Sequence, residues 1–382
     1  MGTEDLPLHL SPESRDLLNG ARRLATETLA PIAAAGATGL VNRELLAALG
    51  EHGILPQIFP DKFGGSAPGE VSAVTLCVLR EGLAQGSTGA ETTMALQGLG
   101  AYPILQAGSD ELRQRWIPPV ARGEAVAAFA LTEPEAGTDA AALGLSAERT
   151  PGGYRLSGHK KWISNAPDAD VYTIFARTTP DAGAKGVTAF VVPGDSGGLS
   201  GKSLEMLSPH AIGTLELDAV FVPDDHVLGE VDQGFAVAMR VLDLFRPSVG
   251  AFAVGMAQAA LDLAVAHAGT RQAFGKPLRA FQGVSHQLAE AAARTKAARL
   301  LVYDAAAAYD VGEAVTKASA IAKLYATETA QFVIDTAIQV HGAQGLEHGH
   351  PLEHLYRDVR GTRIYEGTSE IQREIIAREL YR

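Results

Sequence analysis

The feature that most limits what this chain can fold into is a twofold change in its apolar period, from helical spacing to a period of two and back again. From Ser11 to about Val120 the spacing is helical. The stretch "SPESRDLLNGARRLATETLAPI" opens with Ser11 as a cap, Pro12 behind it and Glu13 in the first turn. The Gly-rich "FPDKFGGSAPGE" breaks that run before further helices follow. From about Glu124 the chain changes to short runs, "GYRLSGHKKWIS", "DVYTIFART", "GVTAFVV" and "LELDAVFV", separated by Gly, Pro and Asp. These read as an antiparallel sheet or barrel. After "DQGF" long helices return over Val237 to about Ala268, Leu278 to about Asp310 and Thr316 to about His341, with loops short enough for an antiparallel bundle. Strands alternating with helices around a phosphate-binding glycine turn are missing, which excludes a Rossmann dehydrogenase.

Composition narrows the function. The 382 residues suffice for two or three packed units, and the single cysteine, Cys77, cannot form an internal disulfide, which favours a reducing, cytoplasmic setting. The opening "MGTEDLPLHLSPES" lacks the basic start and apolar run of a signal peptide. "AFAVGMAQAALDLAVAHAG" is apolar, but its Gln258 and Asp262 suit a buried bundle helix better than a membrane span. A net charge of -12 argues against nucleic-acid or anionic-membrane binding in general, while leaving room for a local basic pocket.

Three tempting motifs carry little. "GSTGA", Gly86 to Ala90, lacks the nucleophile-elbow pattern of a serine hydrolase, and Cys77 in "AVTLCVLREGL" reads as core. His341, His348, His350 and His354 cluster in "HGAQGLEHGHPLEH", but Pro351 divides loop from helix and neither cysteine nor "HExxH" accompanies them, so no metal site is expected.

Six motifs carry more. "AFALTEPEAGTD" (Ala128 to Asp139), "KKWISNA" (Lys160 to Ala166), "LDLFRP" (Leu242 to Pro247), "TRQAFGKPLRAFQ" (Thr270 to Gln282), "QVHGAQG" (Gln339 to Gly345) and "YEGTSEIQREIIARE" (Tyr365 to Glu379) stand in one order along the chain. In that order they resemble the acyl-CoA dehydrogenase family of flavoproteins over nearly the whole sequence. The resemblance implies a mostly helical α+β fold: an N-terminal all-α domain (1-123), a middle antiparallel β-barrel domain (124-233) and a C-terminal four-helix bundle (234-382). It also implies bound FAD, α,β-desaturation of an acyl thioester, a homotetramer or homodimer, and an electron-transfer flavoprotein as acceptor.

Within "YEGT", Glu366 matches the family's catalytic base. A carboxylate is a weak base at its ordinary pKa of about 4.3, so it must sit where desolvation raises that value and where it reaches the α proton. Gly367 lets the backbone turn beside it. Ser369 and Gln372 are expected to form a capping box, and Ile371, Ile375 and Ile376 give the following helix an apolar stripe. Some family subgroups carry the base on the long helix instead, at the position of Phe245, which cannot take a proton.

The remaining roles come from the same resemblance. Phe129, Leu131, Thr132, Trp162 and Ser164 match contacts to the flavin ring; Arg271, Phe274 and Gln282 match residues offered by a neighbouring subunit. Gln339 and Gly342 match the loop near the cofactor's phosphates and adenosine, and Thr368 and Glu370 match contacts beside the catalytic loop. Asp243, Arg246, Thr138, Tyr365 and Gly367 match substrate positions, and "ETTMALQGLGAYPI" matches the acyl-tunnel segment. Two departures stand out: Ala343 where many members have a second glycine, and Ser208 with His210 where members commonly show arginine and serine. These leave three alternatives open: a desaturase of carrier-protein-bound acyl groups, a same-fold flavin oxidase or monooxygenase, and a non-enzymatic scaffold.

Overall fold

A computed structural model describes residues 10–382. Helices α1 (Pro12–Leu24), α2 (Ala30–Ala35), α3 (Arg43–Glu51), α4 (Ala73–Gly86), α5 (Thr88–Ala107) and α6 (Asp110–Ala121) come first. Strands β1 (Ala127–Ala130), β2 (Ser146–Thr150), β3 (Gly153–Ser164), β4 (Val171–Arg177), β5 (Val187–Pro193), β6 (Leu199–Ser203), β7 (Ile212–Pro223) and β8 (Val227–Leu228) follow. The last part holds α7 (Gly234–Thr270), a small hairpin of β9 (Gln272–Ala273) and β10 (Lys276–Pro277), then α8 (Gln282–Asp310), α9 (Thr316–His341), α10 (Pro351–Thr362) and α11 (Ser369–Leu380). The expected order of helices, strands and helices is the one observed. Ser11 caps α1, its Oγ accepting from the Ser14 N–H at 3.1 Å. Cys77 is a buried free thiol in α4.

By its contacts the chain forms two compact units, each discontinuous in sequence. One comprises the described residues of Met1–Ala30 with Ser72–Glu91 and Asp243–Arg382; the other comprises Pro31–Val71 and Thr92–Leu242. Grouping by secondary-structure type, as the sequence suggests, thus differs from grouping by contact, because helices near both ends of the chain share the first unit.

The second unit is built on one sheet of order β6-β7-β3-β2-β4-β5-β8, with β1 beside β4. Strands β4 and β5 are buried along almost their whole length, hence their unbroken apolar sequences. The expected antiparallel pairing needs a correction: β1 runs parallel to β4, Ala127 opposite Val171, and β2 touches β4 in parallel at Ser146 and Arg177. No tight turn joins these strands, so nothing local forces them antiparallel. Gln97 of α5 fixes the entry of β1, its Oε1 accepting from the Ala127 N–H at 2.9 Å, while Thr173 Oγ1 donates to Gly100 O at 3.0 Å.

Inside the first unit a polar network lies within the helical core. Glu81 of α4 is fully buried and accepts from Arg299 Nε at 2.8 Å and from the Tyr303 hydroxyl at 2.9 Å, both on α8. Arg299 Nη2 also donates to Gln258 Oε1 of α7 at 2.9 Å, so three helices are tied at one point. Helix α7 is long and apolar enough to cross a membrane by length and composition, but 67% of its most apolar window is buried in the protein. It continues through Pro247.

Removing one partner of a buried ion pair leaves an uncompensated charge. Glu81→Leu should therefore destabilise the protein by roughly 3 to 5 kcal/mol in thermal or denaturant unfolding. Arg122→Ala, which removes the exposed Arg122–Glu124 pair, should leave the midpoint unchanged; equal effects from the two variants would contradict this reading.

Candidate active site

The loop between α10 and α11 carries Glu366, and its backbone is unusual. Glu366 has φ +53° and Gly367 has φ +93°, so two consecutive residues occupy the left-handed region that only glycine enters freely. A side chain on Gly367 would also lie 2.6 Å from Gln372 Nε2. Buried donors hold this shape. Lys323 of α9, with no exposed surface, donates from Nζ to Tyr365 O at 3.0 Å and to Gly367 O at 2.7 Å. Gln372 Nε2 of α11 donates to Glu366 O at 3.3 Å and to Gly367 O at 3.0 Å.

The expected capping box is corrected here. Thr368 is the cap of α11, its side chain accepting from the Ile371 N–H at 3.3 Å, whereas Ser369 donates to Glu328 Oε1 at 2.6 Å. Gln372 falls one position too late to reach the cap and turns to the loop carbonyls instead.

Glu366 as a residue is partly accessible, yet its Oε2 is buried and has no hydrogen-bond partner. Burial raises its pKa above the ordinary carboxylate value, and the positive charges of Arg80, Lys323 and Arg246 oppose that rise. All three cations are themselves buried. Arg80 of α4 pairs through Nε with fully buried Glu91 of α5 and donates from Nη1 to Ser248 Oγ at 2.8 Å. Arg246 of α7 faces Asp243 at 3.4 Å and keeps a buried Nε without a partner. For Lys323, burial together with Arg246 brings the pKa down to about 8, against the pull of Glu366, Glu328 and Glu370. The first unit thus brings together Glu366, Tyr365, Gly367, Asp243 and Arg246 from the sequence prediction. It adds Arg80, Glu91, Lys323 and Gln372, which the sequence analysis passed over. Arginine and lysine inside the apolar stretches "LCVLREGL" and "ASAIAKLYAT" were the available signal.

The other expected residues of this unit lie apart from the base loop in kind and exposure. Arg271 stands at the foot of the β9–β10 hairpin, and Phe274 is at its tip, with φ +52° and 96% exposure. Gln282 opens α8 and is exposed. Gln339 is exposed near the end of α9, and Gly342 ends that helix at φ +65°, ψ -143°, a conformation closed to side-chain-bearing residues. Stacked rings of His267 and His341, 4.2 Å apart, bring the end of α7 beside the end of α9. Glu370 is exposed and 3.6 Å from Arg373.

The histidine cluster divides its contacts. His350 Nδ1 accepts from the Leu352 N–H at 3.2 Å as the cap of α10, while His354 Nε2 lies 2.9 Å from Thr88 Oγ1 and 3.2 Å from Asp358 Oδ2.

In the second unit, Phe129 and Leu131 end β1, and the Lys161 N–H donates to Thr132 O at 3.1 Å, tying this segment to β3. Alternation along β3 turns Tyr154, Leu156 and Lys160 inward, which would bury Trp162 as well. A register shift between Lys161 and Ile163 reverses the phase, so Trp162, at φ +58°, is 41% exposed. Fully buried Lys160 donates to Leu131 O at 2.9 Å and to Glu133 Oε1 at 2.8 Å, fixing the turn that presents Thr132. Ser164 ends β3 half-buried, and Thr138 lies in an exposed loop.

The chain belongs to the acyl-CoA dehydrogenase family, whose N-terminal, middle and C-terminal domains match residues 11–124, 128–220 and 232–381. Its fold is that family's, with N-terminal helical, middle β and C-terminal helical domains. It is 37% identical to a cyclohexane-1-carbonyl-CoA dehydrogenase of Geobacter metallireducens, over 97% of this chain and 98% of that protein. The structure of butyryl-CoA dehydrogenase from Megasphaera elsdenii superposes with a TM-score of 0.93 at 34% identity, covering 99% of this chain and 100% of that one. The FAD complex of PigA matches with a TM-score of 0.93 at 30% identity, over 98% and 99% of the two chains.

A carboxyl whose folded pKa is raised binds more protons folded than unfolded, so it lowers stability as pH rises through its unfolded value toward its folded one. Glu366→Gln removes that penalty. The variant should melt higher than the parent at neutral pH, with the difference shrinking toward pH 4. A difference that grows on acidification would contradict the direction of the shift.

Proposed function

We propose that this chain is an FAD-dependent acyl-CoA dehydrogenase in which Glu366 removes the α proton of an acyl thioester while a hydride leaves the β carbon. One observation carries this: a buried carboxylate oxygen without a hydrogen-bond partner, its pKa raised by burial, on the loop where the family has its base. Desolvation makes Glu366 a stronger base than an exposed glutamate, and the lone pair left uncommitted on Oε2 is the one a substrate proton needs. The buried cations Arg80, Lys323 and Arg246 keep it ionised before it acts.

FAD requires donors for its pyrophosphate and flat contacts for its ring, and the exposed side chains suit both. When bound, FAD supplies the acceptor for the hydride. Phe129, Leu131, Thr132, Trp162 and Ser164 are assigned to the ring; Arg271, Phe274, Gln282, Gln339, Gly342, Thr368 and Glu370 to the remainder. The open backbone at Gly342, where an added side chain would meet nothing within 4 Å, supports close approach of a ligand there. Asp243, Arg246, Thr138, Tyr365 and Gly367 are assigned to the thioester and its coenzyme A arm, and Glu91–Ile104 to the acyl group.

A 96%-exposed phenylalanine on a hairpin tip supports assembly as a homodimer or homotetramer, with Phe274 covered by a neighbouring copy. An electron-transfer flavoprotein as acceptor, a cytoplasmic setting and the three-domain division at 1-123, 124-233 and 234-382 complete the reading.

Anaerobic mixing of the yellow protein with a panel of acyl-CoA and acyl-carrier thioesters tests it, with bleaching of the flavin as the readout. At least one thioester should bleach it, and Glu366→Gln should retain FAD while slowing bleaching roughly 10²- to 10⁴-fold. Bleaching by none of the thioesters, or unaltered bleaching by the variant, would refute the assignment.

A further inference from the structure

The reaction needs Glu366 held in a conformation that a glutamate does not adopt freely, and ionised in a place that disfavours its charge. One side chain is built to meet both requirements. Lys323 donates to the carbonyls of Tyr365 and Gly367, the residues on either side of Glu366, at 3.0 and 2.7 Å. A side chain bonded to both flanking carbonyls fixes the two peptide planes between which the left-handed turn occurs, φ +53° at Glu366 and +93° at Gly367. Burying a lysine completely is rare, and here the loop's carbonyls take its donors instead of a carboxylate. Its ammonium is therefore not neutralised by a direct salt bridge, and the field it exerts on Glu366 is retained.

We propose that Lys323 is a positioning residue for the dehydrogenation: it clamps the loop that carries Glu366 and supplies part of the positive charge that keeps the base ionised. The proposal rests on Glu366 being the base. The charged groups that act on Lys323 are Glu366 on the loop, Glu370 on α11, Glu328 on α9 itself and Arg246 on α7. Those that act on Glu366 are Arg80, Lys323 and Arg246. Gln372 shares the clamping, through Glu366 O and Gly367 O, but carries no charge. The two functions of Lys323 can therefore be separated by comparing the two residues.

Burial with its neighbours lowers the Lys323 pKa to about 8, so it is charged through the neutral and acidic range in which Glu366 ionises. Loss of its charge raises the pKa of Glu366, and the rate, which follows the ionised carboxylate, then falls at higher pH than in the parent.

The test uses FAD-loaded protein and the rate of anaerobic flavin bleaching by a saturating acyl-CoA across pH. Flavin absorbance and melting temperature establish that each variant is folded. In Lys323→Met and Lys323→Gln the acid limb should move upward by at least about 0.5 pH unit, about threefold in rate on that limb. Their plateau should also fall, with little change in thioester affinity. Gln372→Leu should lower the plateau and leave the limb where it was. Lys323→Arg, which keeps the charge, should restore the limb.

An unmoved limb in both neutral variants, or an equal shift in Lys323→Arg, would overturn the proposal. If neither neutral variant folds, the Lys323→Arg and Gln372→Leu profiles still decide it, since a limb shifted in Gln372→Leu or in Lys323→Arg contradicts a charge effect of Lys323. Retained bleaching by Glu366→Gln would instead sink the reading beneath it.

Discussion

A carboxylate oxygen that is buried and unbonded is the constraint around which the first unit is organised. Leaving such a group without a partner costs on the order of 1 to 3 kcal/mol or more, and a protein keeps it only where the surroundings hold it in place. Here the surroundings are three buried cations, each secured by a different device. Arg80 is matched by Glu91 and Ser248, Arg246 faces Asp243, and Lys323 is spent on backbone carbonyls. None of the three is hydrogen-bonded to the Glu366 carboxylate. The base is stabilised at a distance and left free to accept a proton, which a direct salt bridge would have prevented.

The same division of labour recurs at the flavin-side strands of the second unit. Lys160 is buried, holds Leu131 O and Glu133, and leaves Thr132 presented by the turn it fixes. The bulge in β3 then reverses the side-chain phase and turns Trp162 outward. In both units a buried lysine, with its pKa lowered to about 8 chiefly by burial, braces a short irregular segment that carries assigned residues. Such segments lack ladder hydrogen bonds of their own, and a long side chain with three donors can satisfy several carbonyls at once.

Much of this was legible in the sequence, for identifiable reasons. The runs that became β3, β4, β5 and β7 could be read because each has one or two buried faces and therefore an apolar pattern. Strands β2 and β6 could not, since "SAERT" and "LSGKS" are mostly exposed and owe their extension to neighbouring strands. The parallel course of β1 depends on pairing across more than forty residues, which no local pattern encodes. In the site, Glu366 and its glycine were legible from the motif. Glu366's own left-handed backbone was not, and the capping box was assigned one residue out of place, because Thr368 and Ser369 are both competent caps. The supporting residues Arg80, Glu91 and Lys323 were invisible for a different reason: the helices that carry them are distant in sequence, and only packing brings their charges toward one loop.

The central claim is that Glu366 itself takes the α proton, and solvent exchange reads that step without the hydride transfer. With the flavin held reduced so that no hydride can leave, a bound acyl-CoA in deuterium oxide should gain deuterium at the α carbon in the parent protein. In Glu366→Gln, at equal flavin content, it should not. Exchange at an undiminished rate in the variant would mean that another group removes the proton, and the account of this site built on Glu366 would be wrong.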